Sequence, residues 1–202
     1  MNLRHFGDSY DIVKKSLLQW LSAFGPWAAH PMFTHVVTAA AAYSFSRFLG
    51  VDLVSTEVLD GACERRAYLA ACGNCRSIFL DPDTGVRLRS TKGKRSTEFI
   101  FGDELVEIAS ARPHGLVLAF DQSLARGSER EQVQEKLDHF LDHAVEGFAY
   151  VSHASFLVLG QSGALVREAR DRVLVASGLP LARIVTATPP GRTSRPTATA
   201  AP

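Results

Sequence analysis

The sequence predicts an α/β protein, a single three-layer sandwich with a mostly parallel central sheet and helices on both faces. Three observations predict it. Helical periodicities alternate with short apolar runs, and the connections between them are short and often closed by glycine. Two runs, Leu116 to Phe120 and Phe156 to Leu159, are apolar at every position. That is the pattern of strands buried on both faces, since a half-solvated strand would alternate. With 202 residues, 46% of them hydrophobic, the chain can bury one sizeable core. The expected domain covers residues 1–187. Residues 188–202, rich in Pro, Thr and Ala, are expected to form a disordered tail.

The elements follow in order. Asp8 or Ser9 can cap a helix starting near Tyr10, with Val13, Leu17, Trp20, Leu21 and Phe24 at helical spacing and Gly25-Pro26 as its stop. A second helix is expected from Thr38 to Leu49, ended by Gly50, then a short strand over Val51 to Val54. A third helix is expected from Ala62 to Cys72, closed by Gly73. Ser77 to Leu80 reads as a strand ending at Asp81, and Leu116 to Phe120 as one ending at Asp121. Ser128 and Glu131 have capping-box spacing before a helix bearing Val133, Leu137, Phe140 and Leu141, which Gly147 is expected to end. Strands at Phe148 to Val151, Phe156 to Leu159 and Arg183 to Thr186 enclose a helix from Ala164 to Ser177.

Charge and cysteine content narrow the class. A net charge of +1 excludes a histone-like polycation and an acidic tail protein. Three cysteines do not suggest a disulfide framework. The N-terminus has no secretory apolar region, and no apolar run reaches the roughly 18 residues that span a bilayer. A cytoplasmic protein without a membrane partner is expected.

Sheets of this kind bind ligands beyond the carboxyl ends of their strands, which directs attention to the acids there. Asp81-Pro82-Asp83-Thr84-Gly85 follows one strand, Asp121-Gln122-Ser123 another, and Asp8 lies near the start. Carboxylates gathered at one sheet edge suit Mg²⁺ or Mn²⁺, because hard cations take oxygen ligands. Asp8, Asp81, Asp83 and Asp121 are therefore the candidate metal ligands. Bland alternatives stand beside them: Asp8 as a helix cap, and Asp-Pro-Asp-Thr-Gly as a turn, even a hairpin to Val86–Leu88. A carboxylate directly after a buried strand needs a partner, so Asp121 is the leading candidate.

Arg87, Arg89, Lys92, Lys94 and Arg95 place five bases in nine positions, a loop able to hold phosphate or simply a solvated one. His153 is the candidate acid or base, with a buried hydrogen-bonded histidine as the structural alternative. His139 and His143, four apart, read as an exposed pair rather than a zinc site. Cys72-Gly73-Asn74-Cys75 lacks the second pair that a zinc site needs, and Gly160-Gln161-Ser162-Gly163 is neither a Walker loop nor a nucleophile elbow.

Two segments carry resemblances. Phe79-Leu80-Asp81-Pro82-Asp83 is similar to the Asp-Pro-Pro segment of amino-group methyltransferases, with Asp83 in place of the second proline and without a glycine-rich cofactor loop. Glu64-Arg65-Arg66 with Ala70-Ala71 resembles the Glu-Arg-Arg box of ParB-type nucleotide-binding proteins. The function expected is metal-dependent phosphoryl transfer of nuclease or nucleotide-hydrolase type, with Mg²⁺ or Mn²⁺ as cofactor and a phosphate-containing ligand or nucleic acid as partner. Asp121 and His153 would be its catalytic residues. A non-catalytic α/β adaptor is the alternative, and a methyltransferase-like protein a third.

Overall fold

The computed structural model describes residues 1, 3–60, 63–89 and 96–188. The tail from residue 189 on lies outside them, as do Lys92, Lys94 and Arg95 of the basic loop. The helices are α1 (Ser9–Trp20), α2 (Ala39–Leu49), α3 (Arg65–Ala70), α4 (Gly102–Ser110), α5 (Glu129–Asp142) and α6 (Gly163–Ser177). The strands are β1 (Trp27–His30), β2 (Asp52–Leu53), β3 (Ser77–Leu80), β4 (Gly85–Arg87), β5 (Phe99–Phe101), β6 (Val117–Asp121), β7 (Glu146–Val151), β8 (Ser155–Gly160) and β9 (Ile184–Thr186).

Seven strands form one sheet in the order β2-β1-β3-β6-β8-β7-β9. The pairings from β2 to β6 are parallel, and those from β6 through β8 and β7 to β9 are antiparallel. The α/β class therefore stands with a mixed sheet. The antiparallel half arises because β7 and β8 are separated by only three residues, far too few for a crossover between parallel strands.

Both wholly apolar runs are central strands, buried at every position. Their alternate residues enter two different cores. Phe79, Leu118, Phe120, Phe156 and Val158 pack with Leu17 of α1, Phe45 of α2 and Val166 of α6. Ile78, Leu80, Val117, Ala119, Leu157 and Leu159 pack with Leu69 of α3, Leu105 of α4 and Phe140 of α5. Each such side chain contributes about 1.5–3 kcal/mol on leaving water.

Some helix ends follow the residues expected of them, whereas α1 stops at Trp20, short of Gly25, and α3 at Ala70, short of Gly73. Asp8 Oδ1 accepts the Asp11 N–H at 3.1 Å, and Thr38 Oγ1 accepts that of Ala41 at 3.2 Å. Gly50 closes α2 in the left-handed region at φ 77°. The capping box expected at Ser128 does not form. With ψ at 26°, Ser128 is not in the extended conformation of a cap, and its hydroxyl accepts the Gln132 side-chain amide at 2.7 Å. The chain leaves α5 through Ala144, at φ 58°, rather than at Gly147. Gly147 lies inside β7, where a Cβ would sit 2.7 Å from Leu159 Cδ2.

Three elements have no counterpart in the sequence reading: β1, β5 and α4. The hairpin weighed for Asp-Pro-Asp-Thr-Gly is replaced by a separate two-stranded sheet in which β4 pairs in parallel with β5. Among the described residues no helix is long and apolar enough to cross a membrane.

The order of the sheet positions the site. From β1 the chain steps outward to β2, then returns past β1 to β3 and continues the other way. The strand order reverses between β1 and β3, and a crevice is expected outside their carboxyl ends.

Candidate functional site

His30 ends β1 and Asp81 directly follows β3, joined by the Asp81 N–H donating to the His30 carbonyl at 3.1 Å. His30 is fully buried. Its Nδ1 accepts the Met32 N–H at 3.3 Å and its Nε2 faces the Tyr68 carbonyl at 3.3 Å, so the proton sits on Nε2. Burial pushes its pKa down to about 4 and keeps the ring neutral.

Asp81 is 1% exposed. Its Oδ2 accepts from Lys14 Nζ at 3.0 Å, while its Oδ1 is buried without a hydrogen-bond partner. Burial raises its pKa above the ordinary carboxylate value, against the pull of Lys14. Lys14, on α1, also donates to Asp11 Oδ1 at 2.9 Å and lies over the Phe120 ring at 4.6 Å. Burial opposes its charge, but the two carboxylates together hold its pKa above the usual lysine value. Asp11 is anchored in turn by the Gly7 N–H at 2.8 Å.

Asp81, Lys14 and Asp11 border a cleft of about 320 Å³, lined also by His5, Asp8, Tyr10, Asp83 and Gln122; His30 faces the other side, against Tyr68. Gln122 donates to the Tyr10 hydroxyl at 2.8 Å. The amino group of Met1 lies 3.8 Å from Asp83 Oδ1. Three of the four acids singled out in the sequence, Asp8, Asp81 and Asp83, thus share one cleft.

The fourth does not. In the β3–β6 register Leu80 pairs with Ala119, which sets Asp81 level with Phe120 and Asp121 one position further. Side chains alternate along a strand, so Asp121 faces the side opposite to Asp81. Its Oδ2 accepts from Lys136 Nζ at 2.5 Å. Its Oδ1 accepts the backbone N–H groups of Val86 and Ser123, each at 3.0 Å, and the Ser123 hydroxyl at 2.6 Å. Asp121 ties β4 and α5 to the end of β6, and each of its oxygens already accepts at least one hydrogen bond.

His153 is exposed rather than buried, its ring tilted against Tyr10 at 4.8 Å on the cleft's rim. Arg87 stacks over Phe99 at 3.7 Å, and Arg89 borders a separate groove along α5. Neither lines the acidic cleft. The His139 and His143 rings lie 4.5 Å apart, tilted at 45° to each other. Among the described residues no group of three His, Cys, Asp or Glu is arranged to hold a metal ion. Glu64 caps α3 by accepting the Arg66 and Ala67 N–H groups, Arg65 pairs with Glu104, and exposed Arg66 reaches Glu107 at 3.4 Å.

The sequence reading missed His30, Asp11, Lys14 and Lys136. For one pair a signal existed: Asp11 and Lys14 are three apart on a helix, the spacing at which opposite charges meet. No protein-family model, no curated protein and no solved structure matches the chain.

Proposed function

We propose that the chain is an enzyme acting on a small phosphate-containing ligand with Mg²⁺ or Mn²⁺, in the acidic cleft beyond β1 and β3. The observation that carries this reading is Asp81 Oδ1, a buried carboxylate oxygen with no partner, at the point where the strand order reverses. A buried polar atom in a cleft at a switch point is where a ligand atom is expected. Four carboxylates, Asp8, Asp11, Asp81 and Asp83, face the Lys14 ammonium and the Met1 amino group, whose pKa burial lowers to about 6, an excess of acids that favours a cation. A phosphate would enter such a cleft with the cation rather than alone. In this reading Asp81 Oδ1 is the first oxygen ligand, and Asp8 and Asp83, on the walls of the same cleft, would move in to complete the set. Lys14 fixes the Asp81 and Asp11 carboxylates, and His153 exchanges protons at the rim through solvent. A bound cation would polarise the phosphoryl oxygen and lower the pKa of attacking water.

The small volume favours nucleotide hydrolysis over cleavage of a polymer, and Asp121 keeps a structural role. A three-layer sandwich is part of the same proposal, supported by the two cores on alternate strand residues. So is a cytoplasmic setting, supported by the three free cysteines.

Thermal unfolding with Mg²⁺, Mn²⁺, nucleotides and S-adenosylmethionine tests the reading, because a ligand bound only by the native state raises stability. The wild type should be stabilised by Mn²⁺, and further by a nucleotide with it. Asp81→Asn should lose that response, while Asp121→Asn should keep it on a less stable background. Indifference of the wild type to every divalent ion overturns the proposal and leaves the adaptor reading. Stabilisation by S-adenosylmethionine alone would favour the methyltransferase-like reading, which the Asp81-Pro82 step directly after β3 supports.

A further inference from the structure

A second cavity lies on the other side of the molecule. It measures about 650 Å³ and runs between α3 and α4, with Leu69, Ala70, Cys72, Ile108 and Ala111 on its walls and Arg112 at its base. Its size falls within the usual range for small-molecule sites.

Arg112 is unusual. It is 5% exposed, yet among the described residues no carboxylate pairs with it. Nη1 donates to the Ile108 carbonyl at 2.5 Å, and Nη2 donates to the Cys72 carbonyl and faces Cys75 Sγ at 3.7 Å. Nε is buried with no partner at all. Carbonyl dipoles solvate a guanidinium but do not neutralise it, and a buried charge without a counter-charge is costly. The other charged side chains around the groove each have a partner. Arg65 pairs with Glu104, Arg66 with Glu107, and Glu64 is spent on the α3 N-terminus. Among these charged residues Arg112 alone has neither an ion-pair partner nor a helix terminus to cap.

We infer that this groove binds a small organic monocarboxylate with a compact apolar body, its charge paired with Arg112. A buried guanidinium without a carboxylate partner calls for a negative charge, and the carboxylates of Glu64 and Glu107 on the same lining disfavour a phosphate dianion. The aliphatic walls call for a hydrocarbon body. A guanidinium with open donors suits the planar carboxylate geometry. The site is independent of the acidic cleft, and its test does not involve a metal.

The experiment titrates the full chain, followed by backbone amide NMR, with hexanoate and benzoate against their neutral isosteres hexanamide and benzamide, and with inorganic phosphate. The carboxylates should bind with dissociation constants on the order of 1 mM, as expected for fragments of this size. Shifts should centre on Leu69, Cys72, Ile108 and Arg112, and the amides should bind about tenfold more weakly. Ala70→Trp fills the groove from an exposed helix position and should abolish the response without changing the melting temperature. Arg112→Gln should erase the preference for carboxylate over amide. If that variant fails to fold, Ala70→Trp decides alone. Equal binding of acid and amide, preference for phosphate, or an unaltered response in Ala70→Trp each overturns the inference.

Discussion

Asp81 and Asp121 stand at the ends of neighbouring strands and face away from each other. Lys14 holds the first at 3.0 Å from α1, and Lys136 holds the second at 2.5 Å from α5. Each lysine is buried with its acid. The two pairs differ in completeness: every oxygen of Asp121 is engaged, and Asp81 Oδ1 is not. That asymmetry is why the proposed site is centred on Asp81 rather than on Asp121.

Asp121→Ala leaves Lys136 as an uncompensated buried cation and should cost about 3–5 kcal/mol. Pairing it with Lys136→Met should recover a large part of that loss, because replacing both partners of a buried pair is often neutral. Urea unfolding of the wild type, both single variants and the double variant measures the coupling. Additive losses would show that the contact contributes nothing.

Gly85→Ala should be severely destabilising. Gly85 sits at φ 140°, and an added Cβ would lie 2.2 Å from Asp121 Oδ1 and 2.8 Å from the Gln122 nitrogen. The strain and the displaced carboxylate together should cost about 2–4 kcal/mol. A variant with wild-type urea midpoint would mean that β4 shifts freely against β6.

Leu118→Asp inserts a charge into a residue that is fully buried in β6. Soluble expression should be lost, and a well-folded variant, judged by dispersed amide NMR signals, would contradict the central position of this strand.

His30 makes the protein sensitive to acid. Its folded pKa of about 4 lies below the ordinary 6.5, so the unfolded chain binds the proton first. The stabilisation is present above pH 6.5 and is lost as pH falls toward 4, amounting to about 3 kcal/mol over that window. His30→Gln should be less stable than wild type at pH 7. The gap should narrow by about 2–3 kcal/mol at pH 4.5, because Gln has no proton to take up. Unfolding free energies at the two pH values check this, and a constant gap would show that folding does not shift the ring's pKa.

Much of the fold is legible in the chain. The apolar runs at Leu116–Phe120 and Phe156–Leu159 mark central strands because only burial on both faces tolerates such composition. Asp8, Thr38 and Gly50 act as caps and stops because those roles depend on a few neighbouring residues. Trp27–His30 escaped notice because four residues, two of them alanine, carry too little pattern to mark a strand.

Local composition thus determined the α/β class, most of the elements and the presence of acids at strand ends. Only the tertiary structure decided which acids share a cleft. Asp81 and Asp121 both follow apolar runs, and nothing near either residue distinguishes them. The distinction lies in the register of β3 against β6, which sets Asp81 level with Phe120, and in the helices that bring Lys14 and Lys136 to opposite faces. Register is a relation between segments about 40 residues apart, and shifting it by one position turns a side chain to the other face of the sheet.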